Sequence, residues 1–348
     1  MAELIGSESP ENITGTPEND QIKGLSGEDT IFGLDGDDTL IGDDGPGFNV
    51  GQSGQNDSIE GGKGNDSLFG SGGDDLLVGG ADNDNLDGAS GNDTLIGGPG
   101  NDTLFGGEGF GSSGNNVLFG GSGDDSIATG FITDSFAFGG DGNDTLTGSD
   151  TGSDTLIGGN GDDSINGNNG RSFGSNTLLI GQDGDDTING GSFSSNNIFG
   201  GRGNDSLSGG VVNDLIVGGI GNDTIDSTAG GNDTLTGSSG ADEFIGINTI
   251  TDFEPGIDKL ILERRGSIYK EFALTEDGLE ADEFSIVDDD ASVGSSNGFI
   301  AYSLETGNLF YNQNGAEEGL GSGNQLGTLQ GIPSLTNTDF AVRDTASF

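Results

Sequence analysis

Aspartate recurs in this sequence at a nine-residue interval, within a repeat that also fixes glycine and one large apolar residue. The stretch from Gly97 to Phe105, GGPGNDTLF, shows the pattern G-G-x-G-x-D-x-U-x, in which U is the apolar residue. The complete pattern starts at Gly61, Gly97, Gly120, Gly139, Gly158, Gly200 and Gly218. Carboxylates beside glycine-rich turns, which expose carbonyl oxygens, form the oxygen ligand set that calcium prefers. These residues indicate repeated calcium coordination.

The candidate metal ligands are the aspartates at the sixth position of each repeat. A large apolar residue follows two positions later, as Leu104 follows Asp102. Magnesium fits such a site less well, because it demands octahedral geometry and retains its waters. We expect on the order of ten or more calcium ions. The predicted ligands are Asp20, Asp29, Asp38, Asp57, Asp66, Asp75, Asp84, Asp93, Asp102, Asp125, Asp144, Asp163, Asp186, Asp205, Asp223, Asp233 and Asp242.

The repeat predicts an all-β fold. Glycine supplies the positive φ of a tight turn, and x-U-x is a minimal strand with U pointing inward. Two repeats make one coil of about 18 residues, and a glycine, aspartate and apolar period of this kind is typical of a calcium-binding parallel β-solenoid. We predict a polar N-terminal tail at 1–12, a parallel β-roll at 13–247 and a smaller β-rich C-terminal domain at 248–348.

Alternate repeats should lie on opposite edges of the roll, so the ligands divide into two predicted rows. The first contains Asp66, Asp84, Asp102, Asp125, Asp144, Asp163, Asp186, Asp205, Asp223 and Asp242. The second contains Asp20, Asp38, Asp57, Asp75, Asp93, Asn116, Asp134, Asp154, Asn176, Asn196 and Asp214. One repeat, around Gly47 and Phe48, offers no suitable ligand. Because neutral Asn is a weaker ligand, we expect most calcium in the second row to be lost between Asn116 and Asp214.

The strands that begin in the second predicted row carry an additional apolar residue directly after U. These residues are Phe119, Ile157, Leu179, Phe199 and Val217, with Ala137 in the same series. One interpretation is an exposed stripe that contacts a second copy of the chain or the C-terminal domain, since large apolar patches mark contacts. The alternative is that longer turns fold these side chains inward as additional core.

Composition excludes several classes of function. The formal net charge of −51 disfavours nucleic acid and anionic membranes as partners. The absence of Cys and His removes disulfides, thiol chemistry and the commonest general base, so we expect no enzyme. No apolar run is long enough to span a membrane, and the first residues, MAELIGSESPEN, lack the features of a Sec signal. With 29% hydrophobic residues the core is thin, which favours folding that depends on the cation.

The repeats closely resemble those of RTX proteins, which carry the hemolysin-type calcium-binding repeat. The resemblance implies that each ion is held between turns of successive coils. The C-terminal segments ITDFEPGIDKLIL (250–262), EADEFSIV, GFIAYSLETGNLFYNQNG and LGTLQGIPSLTNTDF resemble the C-terminal region of type I secretion substrates. Alternation in this region predicts a β-hairpin turning at Glu305–Asn308.

The same resemblance implies export through a type I exporter that recognises the C-terminal region, without cleavage. The functional prediction is a secreted, non-enzymatic calcium-binding protein that folds outside the cell and acts at the surface or in an extracellular matrix. The alternative is a secretion module, stand-alone or detached from an extracellular effector or a polysaccharide-modifying or hydrolytic enzyme. The C-terminal domain could equally cover the open edge of the last coil.

Overall fold

The computed structural model describes residues 2–43, 54–107, 114–131, 134–167, 175–246, 248–263, 279–296, 298–312 and 325–343. The chain divides into an N-terminal unit, Met1–Asn197, and a C-terminal unit, Ile198–Phe348. Both units are built almost entirely of short β-strands, and the only helices among the described residues are two 3₁₀-helices in the C-terminal unit. The all-β prediction is confirmed.

The N-terminal unit is a succession of short strands separated by glycine-rich turns. In chain order they are β1 (Glu3–Ile5), β2 (Asn12–Thr14), β3 (Gln21–Leu25), β4 (Thr30–Asp35), β5 (Thr39–Asp43), β6 (Ser58–Lys63), β7 (Ser67–Phe69), β8 (Leu76–Ala81), β9 (Asn85–Asp87), β10 (Thr94–Pro99), β11 (Thr103–Phe105), β12 (Val117–Ser122), β13 (Ser126–Ala128), β14 (Phe136–Asp141), β15 (Thr145–Thr147), β16 (Thr155–Asn160), β17 (Ser164–Asn166), β18 (Asn176–Asp183) and β19 (Thr187–Asn189), followed by β20 (Ser195–Arg202), which crosses the division between units.

Odd-numbered strands of this unit form one parallel sheet, sheet A, and even-numbered strands form a second, sheet B. Each coil contributes one strand to each sheet, and equivalent repeat positions are paired, as Leu77 with Leu95 in sheet B and Leu104 with Ile127 in sheet A. The inward U side chains, such as Leu77 and Leu95, are completely buried and form the core between the sheets. The prediction of a parallel β-roll is therefore confirmed.

The first residues are part of the roll rather than a polar tail. β1 pairs in parallel with β3, and β2 pairs with β4. The expected boundary after residue 12 is thus wrong for this unit. The reason is that Leu4 and Ile13 occupy U positions and pair with Ile22 and Ile31, although glycine and aspartate are sparse around them.

The repeat expected around Gly47 and Phe48 lies outside the described residues, and β4 and β6 on either side of it pair directly in sheet B. In that pairing Ile31 of β4 lies opposite Ile59 of β6. This coil therefore contains 28 residues. The consequence is a corrected row assignment: Asp20 and Asp38 belong with Asp66 rather than with Asp57.

Two repeats are displaced by one residue from the predicted register. Ala137 and Leu179 are the buried residues of β14 and β18, whereas Phe136 and Leu178 lie partly exposed on the outward side. The repeat positions expected at Asp134 and Asn176 are consequently held by Ser135 and Thr177. An inserted residue in each turn caused the error, because either of two adjacent apolar residues could serve as U.

The outward side of sheet B carries two columns of apolar side chains, one on each side of the buried residue. We call this surface of the N-terminal unit the apolar face. The rings of Phe119 and Phe136 lie 5.8 Å apart on it, and the exposed fraction of Phe119 is 36%. Ile157 points outward as predicted, whereas Leu179 is core and Ile180 takes its place. The face consists of Leu76, Val78, Ile96, Val117, Phe119, Phe136, Phe138, Ile157, Leu178 and Ile180, with Thr94 and Thr155.

The C-terminal unit contains further coils and then a less regular region. Phe199 and Val217 lie partly exposed here, as outward positions of their strands. The 3₁₀-helices span Asp290–Ser295 and Asn337–Asp339. The strands are β21 (Ser206–Ser208), β22 (Leu215–Ile220), β23 (Thr224–Asp226), β24 (Thr234–Ser239), β25 (Glu243–Ile245), β26 (Thr249–Ile250), β27 (Lys259–Glu263), β28 (Phe284–Val287), β29 (Ile300–Ser303), β30 (Asn308–Tyr311), β31 (Gln325–Leu329) and β32 (Phe340–Arg343).

The last described strands return to pair with strands of the solenoid coils in this unit. β31 pairs in parallel with β26, and β32 pairs in parallel with β27. The predicted hairpin is confirmed: β29 and β30 are antiparallel, with Ile300 opposite Tyr311. The nine-residue period ends after β25, but the buried core continues into β26 and β27, since Ile250 pairs with Leu235 and Leu260 pairs with Phe244, all fully buried.

Candidate metal centre

All predicted calcium ligands are buried carboxylates, and within each unit they form two rows, one at each edge of the coils. Row A consists of the residues that directly precede strands of sheet A and their equivalents in the C-terminal unit, and row B consists of those that precede strands of sheet B. Every predicted ligand is at most 3% exposed. Row A holds Asp20, Asp38, Asp66, Asp84, Asp102, Asp125, Asp144, Asp163 and Asp186, and Asp205, Asp223 and Asp242 in the C-terminal unit; row B holds Asp29, Asp57, Asp75 and Asp93, and Asp233 in the C-terminal unit.

One carboxylate oxygen of each aspartate links adjacent coils. The backbone N–H of Asp66 donates to Oδ1 of Asp84 at 2.8 Å, and the N–H of Asp84 donates to Oδ1 of Asp102 at 2.8 Å. In row B the N–H of Asp57 donates to Oδ1 of Asp75 at 2.8 Å. These bonds satisfy a backbone donor that strand pairing leaves free, and they fix the height of each carboxylate.

The other carboxylate oxygen, Oδ2, is buried without a hydrogen-bond donor in most of these aspartates. A buried ionised carboxylate that lacks a partner is costly, because it loses hydration without compensation. Among the described residues, this condition holds for Asp29, Asp38, Asp57, Asp66, Asp75, Asp84, Asp93, Asp102, Asp125, Asp144, Asp163 and Asp223. A repeated orphan acceptor of this kind indicates a cation rather than a packing defect.

At most of these aspartates the orphan Oδ2 lies beside a carbonyl oxygen of the next coil. A methyl group added at Gly61 would lie 2.3 Å from Asp66 Oδ2 and 2.6 Å from the carbonyl oxygen of Gly79. The same arrangement surrounds Gly97, with Asp102 Oδ2 at 2.3 Å and the Gly120 carbonyl oxygen at 2.7 Å. The first glycine of the repeat is therefore required for space, since any side chain would fill the cradle where the two oxygens meet.

The turns before the aspartates use left-handed backbone, even where the residue is not glycine. Before Asp66 the φ angles of Gly62 and Gly64 are 122° and 116°. Leu25 and Leu34 adopt φ of 82° and 89° at the equivalent position of other turns. A left-handed non-glycine residue costs about 1–3 kcal/mol and persists only where its surroundings hold it. Such strain supports a turn geometry shaped for a ligand.

Burial makes these carboxylates reluctant to ionise in the absence of a metal. It raises the pKa of Asp57 to about 8 and the pKa values of Asp75 and Asp84 to about 7. The backbone N–H donors of the preceding coil oppose this increase, whereas neighbouring carboxylates add to it, as Asp75 does for Asp57. A divalent cation would reverse both unfavourable effects by supplying positive charge at Oδ2.

The donor set of the cradle fits calcium. Within the described ranges no group of three or more acidic side chains is arranged to hold a metal ion, so carboxylates alone do not form a site. Carboxylate and glycine carbonyl oxygens together supply the mixed oxygen coordination that calcium accepts with flexible geometry. When bound, calcium would draw the carboxylate and carbonyl oxygens of neighbouring coils together, which hydrogen bonds cannot do between two acceptors.

In the predicted ligands Asp20 and Asp233 a protein donor reaches Oδ2. The N–H and Oγ1 of Thr16 donate to Asp20 Oδ2 at 2.6 and 2.9 Å. Together with the N–H of Ala2, the main contributor, they lower the pKa of Asp20. The Nδ2 group of Asn248 donates to Asp233 Oδ2 at 2.8 Å. Both carboxylates are therefore hydrogen-bonded at the oxygen that is an orphan elsewhere.

A second, exposed ladder at each edge was not predicted. In the N-terminal unit, the N–H of Asn83 donates to Oδ1 of Asn65 at 3.0 Å, and the N–H of Asn101 donates to Oδ1 of Asn83 at 2.7 Å. Here the side chain accepts from the following coil, opposite to the direction of the buried ladder. Asp134 belongs to this outer ladder at the row B edge, since its Oδ1 accepts the N–H of Ser153 at 2.7 Å. The recurring N-D dipeptide was the available sequence signal.

The repeats match a known family over most of the chain. A family model of the RTX calcium-binding nonapeptide repeat matches residues 14–48, 53–86, 78–110, 110–131, 133–151, 138–173, 174–195, 191–225 and 227–246. The chain therefore belongs to the family of RTX calcium-binding nonapeptide-repeat proteins, and calcium is the ion that its repeats bind. No curated protein shows significant similarity to the chain. Within the described residues, no helix is long and apolar enough to span a membrane.

Proposed function

We propose that this is a secreted, non-enzymatic calcium-binding protein whose β-roll forms when the chain meets extracellular calcium. The observation that carries the proposal is the row of buried, orphan Oδ2 atoms beside carbonyl oxygens. Without the cation these carboxylates oppose folding, and calcium at the low concentration of a cytosol would not fill sites with the roughly 10⁻⁴–10⁻³ M affinity of extracellular modules. Ligand binding to the folded state alone then drives folding after export.

Circular dichroism during a calcium titration tests this proposal. We expect a coil spectrum in chelator and a β spectrum at millimolar calcium, with magnesium at equal concentration as the control. Magnesium should have a much smaller effect, because the cradle provides flexible rather than octahedral coordination. A β spectrum of equal strength in chelator would contradict calcium-dependent folding.

The absence of enzymatic activity is part of the proposal. The sequence has no His and no Cys, and the repeated aspartates are buried in the coil-to-coil ladders. Tyr302, which could serve as an acid, is fully buried, and burial raises its pKa to about 12. The chemistry that these residues support best is ion binding.

Export through a type I exporter that recognises the C-terminal region is supported by the resemblance of that region to known secretion substrates. The same residues pair with the coils of the C-terminal unit, as β31 does with β26 and β32 with β27. Recognition must therefore precede folding, which agrees with a chain that stays unfolded at low calcium. Deletion of 298–348 should retain the protein in cells that carry such an exporter.

A fusion separates export from folding in this test. Residues 298–348 attached to an unrelated cytosolic carrier should direct that carrier into the medium only when the exporter is present. Secretion of the deleted protein at the level of the intact protein, or failure of the segment to export the carrier, would count against a C-terminal signal.

The apolar face supports a further partner, a second copy of the chain. The face carries no charged side chain in a molecule whose formal net charge is −51. Two copies can place these faces together without bringing like charges into contact at the face itself. Sedimentation in calcium over a range of protein concentrations should reveal self-association, and a strictly concentration-independent monomer would exclude it.

A further inference from the structure

Row B changes its residue types in the middle of the N-terminal unit, whereas row A does not. After Asp93 the row B positions are held by Asn116, Ser135, Asp154, Thr177 and Asn196, and all of them are buried. The opposite edge of the same coils keeps aspartate throughout, with Asp102, Asp125, Asp144, Asp163 and Asp186. The two edges of these coils therefore differ in charge while they share one core.

Asn116 retains the coil-to-coil bond of the aspartate that it replaces. Its Oδ1 accepts the N–H of Asp93 at 2.9 Å, as an aspartate Oδ1 does elsewhere in the row. Because that oxygen faces a donor, the orientation of the amide is determined, and its NH₂ group must occupy the position of Oδ2.

The amide nitrogen of Asn116 bridges two carbonyl oxygens of successive coils. Nδ2 donates to the Gly106 carbonyl at 2.9 Å and to the Thr129 carbonyl at 3.2 Å. A methyl group added at Gly106 would lie 2.6 Å from this nitrogen and 2.2 Å from the Thr129 oxygen. This is the cradle found at Gly97, where an orphan Oδ2 faces a carbonyl oxygen, but with a hydrogen-bond donor in place of the acceptor.

A second member of the same stretch is satisfied by a neighbouring serine. The N–H and Oγ of Ser149 donate to Asp154 Oδ2 at 2.6 and 2.8 Å. Asp154 Oδ1 still accepts the N–H of Ser135 at 2.9 Å, so the coil-to-coil ladder continues. Protein donors thus reach the same carboxylate oxygen that remains an orphan in Asp75 of row B and Asp144 of row A.

We infer that row B is free of metal from Asn116 to Asp154, with the Asn116 amide and the Ser149 donors taking the place of calcium, so that calcium joins these coils along row A only. A cation at Asn116 would face N–H donors, which repel it, and would have to break two hydrogen bonds. This inference rests on the proposed calcium-dependent folding, because it assigns which edge of each coil depends on the ion.

The inference predicts opposite changes in calcium binding for two substitutions in neighbouring repeats. Asn116→Asp restores an orphan oxygen in the cradle at Gly106 and should create a calcium site. Asp102→Asn supplies an amide to the cradle at Gly97 and should remove a site, while its Nδ2 bridges Gly97 and Gly120 carbonyls as Asn116 does for its own pair. The first change should increase dependence on calcium, and the second should decrease it.

Calcium stoichiometry by native mass spectrometry gives the first measurement. At saturating calcium we expect Asn116→Asp to bind more ions than the parent protein, and Asp102→Asn to bind fewer while keeping its β spectrum. An unchanged ion count in Asn116→Asp would overturn the assignment of row B as metal-free, because it would show that the position already holds an ion or that its cradle cannot accept one.

Folding in chelator gives a second measurement that does not require calcium. The concentration of trimethylamine N-oxide needed to induce β structure should shift downward for Asp102→Asn and upward for Asn116→Asp, because an amide satisfies the cradle and a carboxylate does not. If the parent chain binds no calcium but these shifts appear, calcium-dependent folding is wrong and amide substitution stands. If the shifts are absent or reversed, the inference is wrong whatever the parent binds.

Discussion

Each repeated aspartate has two oxygens with different partners, and the repeat depends on both. Asp84 Oδ1 accepts the N–H of Asp66, whereas Asp84 Oδ2 has no donor and lies in the cradle of Gly79. An amide at the same position keeps Oδ1 as the acceptor of the N–H bond and replaces Oδ2 with an NH₂ donor, as Asn116 shows. A single-atom difference therefore decides whether a coil needs an ion.

The cradle predicts that even a methyl group at its glycine weakens calcium binding and lowers stability. Gly61→Ala should weaken calcium binding at Asp66 and destabilise the calcium-bound form by about 1–3 kcal/mol, because the new methyl group would lie 2.3 Å from Asp66 Oδ2 and 2.6 Å from the Gly79 carbonyl. Calcium titration and thermal unfolding measure the two effects. The φ angle of Gly61 is not left-handed, so the effect comes from space rather than from backbone strain.

Gly167→Ala is the matched control for this change. At Gly167 the atoms nearest to an added methyl group would be the Gly190 carbonyl oxygen and a Leu179 methyl, both at 3.0 Å, rather than a carboxylate oxygen. Its effect on the calcium midpoint should be clearly smaller. Equal shifts for the two variants would show that the cradle at Gly61 is not a ligand site.

At the residue scale the nine-residue period predicted which aspartates are buried, since each must lie between a glycine turn and an inward apolar residue. It could not identify Ser135 and Thr177, because an inserted residue leaves two registers with an apolar residue in the U position. Nor could it show that Thr16 and Asn248 donate to Asp20 and Asp233. Those contacts depend on side-chain placement in turns that depart from the repeat.

The two sheets of the N-terminal unit differ in what they present outward, although they share one repeat. Strands of sheet A from β7 onward have three residues and mostly polar outward side chains, as in Thr145–Thr147. Strands of sheet B from β4 to β16 have six residues, and the apolar face begins at β8. Sheet A thus presents a hydrated surface, and sheet B presents a surface suited to contact.

Two substitutions in sheet B distinguish surface from core. Phe119→Ser should reduce self-association with little loss of stability, because the ring is 36% exposed. Leu179→Ser should destabilise the calcium-bound form by about 3–5 kcal/mol, because it removes a fully buried side chain and leaves a hydroxyl in the core. Thermal unfolding and sedimentation of both variants test the contrast.

Thermal unfolding and sedimentation could each contradict these expectations for Phe119→Ser. A large loss of stability in Phe119→Ser would show that the ring contributes to the core. Unchanged association in a stable Phe119→Ser variant would show that copies do not meet through this face.

At the element scale the sequence predicted strands and turns because glycine and the apolar position alternate without ambiguity over most coils. The sequence correctly predicted apolar residues on the outward face of sheet B. It placed Leu179 on the wrong side of the strand because the register of that repeat is displaced by one residue. β1 was missed because the polar composition of residues 1–12 conceals its inward apolar residue, Leu4. β2 lies across the expected boundary, and its inward residue, Ile13, was already part of the predicted roll. Composition is averaged over a whole segment, whereas a strand of the roll needs only one apolar residue in the inward position.

For the whole molecule, charge and burial together predict the pH dependence of the metal-free chain. Folding raises the pKa of Asp66, Asp93 and Asp125 from 3.8 to about 7, mainly by burial. Between about pH 4 and pH 7 the folded state therefore binds protons that the unfolded state has released. Stability from these groups is fully present below the unfolded pKa and is lost as the pH rises through about 7.

The metal-free chain should accordingly gain β structure as the pH falls from about 8 to about 5, which circular dichroism in calcium-depleted buffer can follow. The control is a high concentration of NaCl at pH about 8, which screens repulsion between exposed charges but leaves the buried carboxylates unhydrated. If NaCl restores structure as fully as acid does, general repulsion rather than burial governs folding. In calcium the trend should reverse, because protons compete with the ion for Oδ2.

The coil-to-coil ladder has a consequence for how such a chain can change in length. Successive row A aspartates in the N-terminal unit are separated by 18, 19, 23 or 28 residues, yet the bond between N–H and Oδ1 stays at 2.7–2.8 Å. The hydrogen bonds between coils do not depend on the number of residues in the turn. A turn can therefore accept a foreign peptide while the coils on either side of it stay aligned. Insertions in the turns at these edges should therefore cost little stability during evolution. The connection between Phe105 and Val117 is a suitable position for grafting an epitope or a binding loop.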